Sequence, residues 1–209
     1  MTNFIPIFPL NVVVYPDEQL NLHVFEPRYK QLIQEATAEK RAFGIPSVLQ
    51  KNVLEYGTLV EVVRIDKIYD SGEMDVVTKG LQVFRILETI RQVPDKLYSG
   101  AIVNYPANDM KTNERLRLEV VDQVKALHGL LRVEKKFTKA DADLSAYDLA
   151  HHSGLSLDEE YELLHLFHEM QRLEYLKRHL YKVLPVMAEM EKLKERVQLN
   201  GHFRKLSID

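Results

Sequence analysis

The spacing of apolar residues changes near the middle of the chain. Over residues 4–105 the apolar runs are short, rich in β-branched side chains and punctuated by Gly and Pro; from residue 107 onward apolar residues recur every three or four positions. Short β-branched runs fit a pleated, half-buried surface, so residues 12–14, 59–68 and 81–87 predict strands, and 101–105, before Pro106, the last of them. Asp70-Ser71-Gly72 separates the run ending at Tyr69 from Met74-Asp75-Val76-Val77-Thr78, which predicts a hairpin with a short loop. One helix interrupts this region. Pro27 suits a first helical position, where a missing N–H costs nothing, and Tyr29, Leu32, Ile33 and Ala36 follow at three- and four-residue spacing.

Beyond Pro106, Leu116, Val120, Val124, Leu127 and Leu131 form the stripe of an amphipathic helix. Residues 132–143 are charged and loop-like, and residues 146–153 predict a short helix ended by Gly154. Ser156-Leu157-Asp158-Glu159 has the capping-box pattern, in which serine accepts from the third N–H and glutamate reaches back. A long helical stripe follows through Leu163, Leu166, Phe167, Met170, Leu173, Leu176, Leu180, Leu184 and Met187 and resumes through Met190, Leu193 and Val197. Pro185 lies inside it and removes a backbone donor, which predicts a kink or break in the preceding turn. Strands first and helices afterwards make an α+β chain, with a β-rich part over 1–106 and a helical part over 107–209.

Composition narrows the chemistry. The 209 residues contain no cysteine, which excludes disulfides, thiolate metal sites and cysteine nucleophiles. The first residues lack a basic region, Pro6, Pro9 and Pro16 interrupt the apolar run behind them, and no stretch approaches the roughly 20 apolar residues of a membrane span. The expectation is a cytoplasmic protein without a membrane partner. Net charge is -3, and neither half is basic. Binding to nucleic acid normally leaves a footprint of clustered Lys and Arg, so no nucleic-acid partner is expected.

Particular residues resemble the N-terminal, substrate-binding domain of Lon proteases. The opening match is Ile5-Pro6-Ile7-Phe8-Pro9-Leu10, Val12-Val13-Val14-Tyr15-Pro16 and Leu22-His23-Val24-Phe25-Glu26-Pro27-Arg28-Tyr29. Gly57-Thr58, then Lys79-Gly80-Leu81-Gln82 with Arg85 and Ile86, then Gln171-Arg172-Leu173-Glu174-Tyr175-Leu176 continue it in the same order. The resemblance implies a small twisted β-barrel-like domain of the PUA-like type with one helix, followed by an α-helical bundle. It implies a stand-alone, non-catalytic module that recognises unfolded or hydrophobic polypeptide segments, with a Lon-type protease as a possible partner and a possible homo-oligomeric state. No cofactor is expected. The motor and protease of Lon do not carry over: no Gly-x-x-x-x-Gly-Lys-Ser/Thr phosphate loop occurs, and the sequence stops before a serine–lysine proteolytic domain would follow.

Candidate sites each have a structural counterpart reading. Glu162-x-x-His165 has the spacing of a di-iron bundle motif but no second copy, and on a continuous helix Glu162, His165, Glu169 and Arg172 fall opposite the apolar stripe, facing solvent. No metal site is expected. Arg28 and Glu26 flank the helix start; Arg28 offers a guanidinium fork to a peptide carbonyl or carboxylate, against a structural ion pair or a hydrogen bond to loop carbonyls. Pro9, Glu26, Pro27, Gly57, Gly80 and Arg85 are expected to be structural, with Gly80 marking a bend or bulge between two strands. The aromatic residues of the β part are the better binding candidates, because a small barrel cannot bury all of them. Tyr15, Phe25, Tyr29, Tyr69 and Phe84, with Arg28, form the expected peptide-binding set. Two other readings stand beside this one: an enzyme of unknown type with a pocket between the two parts, for which no catalytic constellation is visible, and a PUA-like RNA binder by analogy of fold alone.

Overall fold

A computed structural model describes residues 3–134 and 137–203, with side chains to residue 197. The chain divides into two compact units: residues 1–109 with 156–167, and residues 110–155 with 168–209. The segment 156–167, assigned to the helical part by its position in the sequence, therefore folds with the strands.

The first unit holds one mostly antiparallel sheet of six strands. These are β1 (Asn3–Pro6), β2 (Gln19–Val24), β3 (Phe43–Leu49), β4 (Asn52–Ile68), β5 (Met74–Ile90) and β6 (Gly100–Asn104). The order is β1-β6-β5-β4-β3, and β2 pairs with the first half of β5. The sheet is not closed, which departs from the β-barrel-like form that the resemblance implies. After β1 the chain meets β3 through two isolated parallel bridges, Ile7↔Gly44 and Leu10↔Ser47, flanking Pro9. Residues 12–14 form no strand; Val13 and Val14 are buried from an irregular segment.

The expected hairpin is β4–β5, closed by Tyr69 N–H donating to Glu73 O at 2.9 Å. Its ladder shifts register at Leu81, Val63 and Asp66, and the β5–β6 ladder shifts at Leu87. Each shift is an extra, unpaired residue that bends its strand. The helix predicted after Pro27 is α1 (Pro27–Glu39), with the proline in its first turn and Lys40 in the left-handed conformation at its C-terminus. Its buried face, Tyr29, Leu32, Ile33 and Ala36, joins Phe8, Val24, Phe43, Ile45, Val60 and Met74 in one core cluster. Leu59, the neighbour of Val60, points the other way into a second cluster with Ile5, Ile7, Phe84, Ala101 and Val103.

Two glycines hold this sheet together by close approach. A Cβ on Gly57 would lie 2.4 Å from Ile45 O, and one on Gly80 would lie 2.1 Å from Tyr15 O. Gly80 sits inside β5 rather than between two strands, at the register shift beside Leu81. The turn at 15–18 folds directly over it, with Gly80 N–H donating to Glu18 O at 2.8 Å and Asp17 N–H to Gly80 O at 2.9 Å.

The helix predicted after Ser156 is α4 in chain order, and it completes the first unit. α2 (Glu114–Leu131), α3 (Ala146–Ala150) and α5 (Glu169–Phe203) lie in the second unit, and α4 spans Leu157–Leu164. The bundle expected after the β part is not formed as a continuous helical half, since α4 leaves it for the first unit. Ser145–Asp148 and Ser156–Glu159 make capping boxes on α3 and α4. α2 buries Leu116, Val120, Val124 and Leu127 as expected and leaves Leu131 exposed.

The long stripe predicted from residue 157 onward is broken at 165–168, not at Pro185, which lies within α5. There the His165 ring contacts Tyr161 O at 2.8 Å, Asp109 N–H donates to Phe167 O, and His168 O accepts from Gln171 and Arg172 to start α5. The break rephases α5. Glu169, Arg172, Leu173, Leu176 and Leu180 form its buried face, and Met170 turns outward. The expectation that Glu169 and Arg172 face solvent is thereby overturned. Among the described residues no helix is long and apolar enough to cross a membrane.

Candidate polypeptide-binding surface

The exposed aromatic chemistry of the first unit gathers where β2 ends and the β4–β5 hairpin turns. His23 on β2 is paired with Asp75 on β5, which is paired with Lys67 on β4, so the three side chains form one cross-strand row. The ring of His23 contacts Asp75 Oδ1 at 2.8 Å and lies 3.7 Å from Glu73. Tyr69 donates its hydroxyl to Asp75 Oδ2 at 2.7 Å, and Lys67 Nζ lies 4.2 Å from the Tyr69 ring centroid. Phe25, the residue after β2, stacks on His23 with centroids 6.2 Å apart, and Tyr69 meets His23 edge-on at 5.9 Å.

Apolar surface accompanies these rings. Phe25 is 59% exposed and Ile68, beside Tyr69, is 65% exposed. The polar groups beneath hold the rings in place. Hydrogen bonds from His23 and Tyr69 keep the Asp75 carboxyl below its ordinary range, and the same bond to Asp75 pushes the Tyr69 hydroxyl up. Tyr69 is thereby held as a neutral donor.

The residues expected to bind peptide are not all at this surface. Phe25 and Arg28 are exposed and Tyr69 is half-buried. Tyr15, Tyr29 and Phe84 are buried and present no surface to a ligand. Tyr15 bonds through its hydroxyl to Glu160 O at 3.0 Å, Tyr29 stacks on Phe8 at 3.7 Å, and Phe84 fills the second core cluster. Tyr29 and Phe84 belong to the core because the sheet has two apolar faces to fill, and Tyr15 is buried where its hydroxyl reaches Glu160 O.

Arg28 makes the ion pair of the structural reading, with Glu26 at 2.8 Å, and its guanidinium lies 4.5 Å from the Tyr29 ring centroid. Arg85 likewise pairs with Glu55 at 3.0 Å. Pro27 opens α1 after Glu26, which takes no side-chain part in capping it.

A second aromatic group escaped sequence reasoning. Tyr56 on β4 stacks on His165 at 5.2 Å, with Tyr161 and Phe167 tilted against it at 6.4 and 5.8 Å. Tyr161 Oη accepts from Tyr56 N–H at 3.1 Å, and burial pushes the Tyr161 hydroxyl up. This group fixes α4 to β4. The helical periodicity through 157–187 concealed it, since a continuous helix would place His165 in solvent. Among the described residues no three His, Asp or Glu side chains gather where they could hold a metal ion.

Comparison with known proteins places this geometry. A model of the family described as the ATP-dependent protease La (LON) substrate-binding domain matches residues 5–182. The crystal structure of a Lon N-terminal domain protein from Xanthomonas campestris is 25% identical with a TM-score of 0.65, covering 84% of this chain and 98% of that one. The N-terminal domain of Mycobacterium avium complex Lon protease shares the fold at 15% identity, with a TM-score of 0.62, 86% of this chain and 98% of that one being covered.

Proposed function

We propose, from the fact that this chain belongs to the Lon substrate-binding domain family, that it is a non-catalytic recognition module for exposed hydrophobic segments of polypeptide. The observation that carries the reading is the surface where Phe25 and Ile68 stand exposed beside Tyr69 at the ends of paired strands. Large apolar groups on rigid elements, rimmed by polar residues, suit a partner whose own apolar side chains are uncovered. A native partner has buried those side chains and gives such a surface little to hold. The helical unit would serve as a platform or a self-association surface; the exposed Val186, Met190, Leu193 and Val197, spaced four, three and four along α5, support the second role. Delivery of the bound segment to a Lon-type protease would give the module its place in proteolysis.

The test is binding of the purified chain to a permanently unfolded polypeptide, such as reduced and carboxymethylated α-lactalbumin, against the native form of the same protein. Selective binding of the unfolded form, weakened about tenfold by a paired Phe25→Ala and Ile68→Ser substitution, is expected; tenfold is about 1.4 kcal/mol, the order of burying one such side chain. Equal binding to both forms, or to neither, would sink the reading.

A further inference from the structure

Among the described residues β2 hydrogen-bonds to one strand, β5, in unbroken antiparallel register from Gln19↔Lys79 to Val24↔Met74. Gly80 N–H donates to Glu18 O, and Thr78 Oγ1 donates to Leu20 O at 3.0 Å. Backbone groups of alternate residues address opposite sides of an antiparallel strand. Glu18, Leu20, Leu22 and Val24 therefore address β5, and the N–H and C=O groups of Gln19, Asn21 and His23 point away from it. All three residues are exposed.

Edges of this kind are ordinarily blunted by lysine, proline, a bulge or an inward-pointing charge. β2 reads Gln-Leu-Asn-Leu-His-Val and has none of the four, whereas the β3–β4, β4–β5 and β5–β6 ladders all shift register. The β2–β5 ladder is straight where these three are bulged.

We infer that the β2 edge accepts an extended segment of an unfolded polypeptide as an additional strand. The inference rests on the recognition reading above and specifies its chemistry: main-chain hydrogen bonds supply affinity without regard to sequence, and the rings at the end of β2 favour an apolar side chain there. A folded partner has its backbone already paired and offers no such strand. The position of the apolar surface argues for a client rather than a second copy of this chain. Phe25 stands exposed just past the C-terminal end of β2, and two copies of β2 paired antiparallel about Asn21 or Leu22 would bring each Phe25 opposite Asp17 or Gln19 of the other copy, neither of them apolar. A longer extended chain runs past the end of the strand and covers the rings.

The deciding probe is a ten-residue peptide of Val, Thr and Phe and its twin with alternate backbone nitrogens methylated, titrated by fluorescence anisotropy against the full chain. The side chains are the same, and only the donors for strand pairing are lost. We expect the twin to bind at least tenfold more weakly, and the amides of Gln19, Asn21 and His23 to gain hydrogen-exchange protection with the parent peptide. Asn21→Pro, tolerated at an edge whose N–H faces solvent, is expected to reduce parent binding to the level of the twin at unchanged melting temperature. If that variant does not fold, Asn21→Lys and the peptide pair on the unaltered chain decide. Equal binding of parent and twin overturns the edge inference and leaves the recognition reading standing. Failure to bind either peptide or the unfolded protein removes both. A peptide-free dimer that Asn21→Pro abolishes gives the edge to a second copy and overturns the inference as well.

Discussion

Replacing Arg172 by Met tests the description of the helical unit where it departs furthest from the expectation drawn from sequence. Arg172 is 0% exposed and Glu169 2%. The guanidinium donates to Glu169 Oε2 through Nε at 2.9 Å and lies 2.8 Å from it through Nη2, donates to Tyr147 Oη at 3.1 Å, and sits 4.2 Å from the Tyr147 ring centroid. The other carboxylate oxygen of Glu169 accepts from Ala146 N–H at 2.6 Å, which ties the start of α5 to the start of α3. Removing the arginine leaves a carboxylate enclosed with its counter-charge gone, and breaking a buried pair in this way costs about 3–5 kcal/mol. The double variant Arg172→Met/Glu169→Leu removes the stranded charge but leaves Ala146 N–H without its acceptor, a loss of about 1–3 kcal/mol. It is therefore expected to be more stable than the single variant and less stable than the unaltered chain. Urea unfolding followed by circular dichroism at 222 nm reads the helices directly. A loss below about 1 kcal/mol for Arg172→Met is what an exposed pair would give, and it would refute both the burial and the rephasing of α5 that produces it.

Substitutions at four further sites have definite expected outcomes. Burial pushes the Asp148 carboxyl up, but hydrogen bonds from Lys139 and Ser145 outweigh it and hold the pKa below the ordinary 3.8. A depressed folded-state pKa contributes stability that is present above 3.8 and lost as pH falls through the folded value; Asp148→Asn should thus destabilise α3 at pH 7, and the difference should fade in acid, as thermal melts at pH 7 and pH 3 would show. Burial and the hydrogen bond to Glu35 push the Tyr98 hydroxyl up to about 12, so the Tyr98 contribution to stability is full below pH 10 and lost as pH rises toward 12; absorbance at 295 nm should show a late-ionising tyrosine that Tyr98→Phe removes. Gly80→Ala would place a methyl group 2.1 Å from Tyr15 O and should abolish a stable sheet, whereas a Cβ on Gly129, inside α2, meets nothing within 4 Å, so Gly129→Ala should raise stability by about 0.5–1 kcal/mol; melting temperatures of the pair check both.

What the sequence made legible is what periodicity and local chemistry determine. The α1 stripe behind Pro27, the hairpin at Asp70-Ser71-Gly72, the final strand and the capping box at Ser156 all appear in the structure. These features depend on neighbours within a few residues. The break at 165–168 does not, since no Gly or Pro stands there; a hydrogen bond from Asp109 N–H to Phe167 O and a buried pair that needs Ala146 as a partner impose it from a distance. The same holds for the aromatic residues. Nothing local distinguishes Tyr15 from Tyr69, yet one is buried at the start of the turn over Gly80 with its hydroxyl on Glu160 O, and the other stands at a hairpin end. Partners distant in sequence decide it: the register of β4 on β5 puts Tyr69 at the hairpin end, and Glu160 of α4 meets Tyr15.

That dependence on register bears on recognition itself. The bulges at Val63, Leu81 and Leu87 each turn an apolar residue outward, leaving these side chains 51%, 40% and 49% exposed. A bulge bends and twists its strand, which spoils it as a template for pairing. The bulged ladders can therefore display apolar side chains without inviting another backbone to add alongside. β2 has the opposite character, with an uninterrupted backbone edge, outward residues that are polar, and its apolar group, Phe25, placed just past its end. A module that must hold unfolded chains without polymerising on itself needs its pairing-competent edge to be short. Six residues meet that requirement, and a regular edge of the length of β4 or β5 would not.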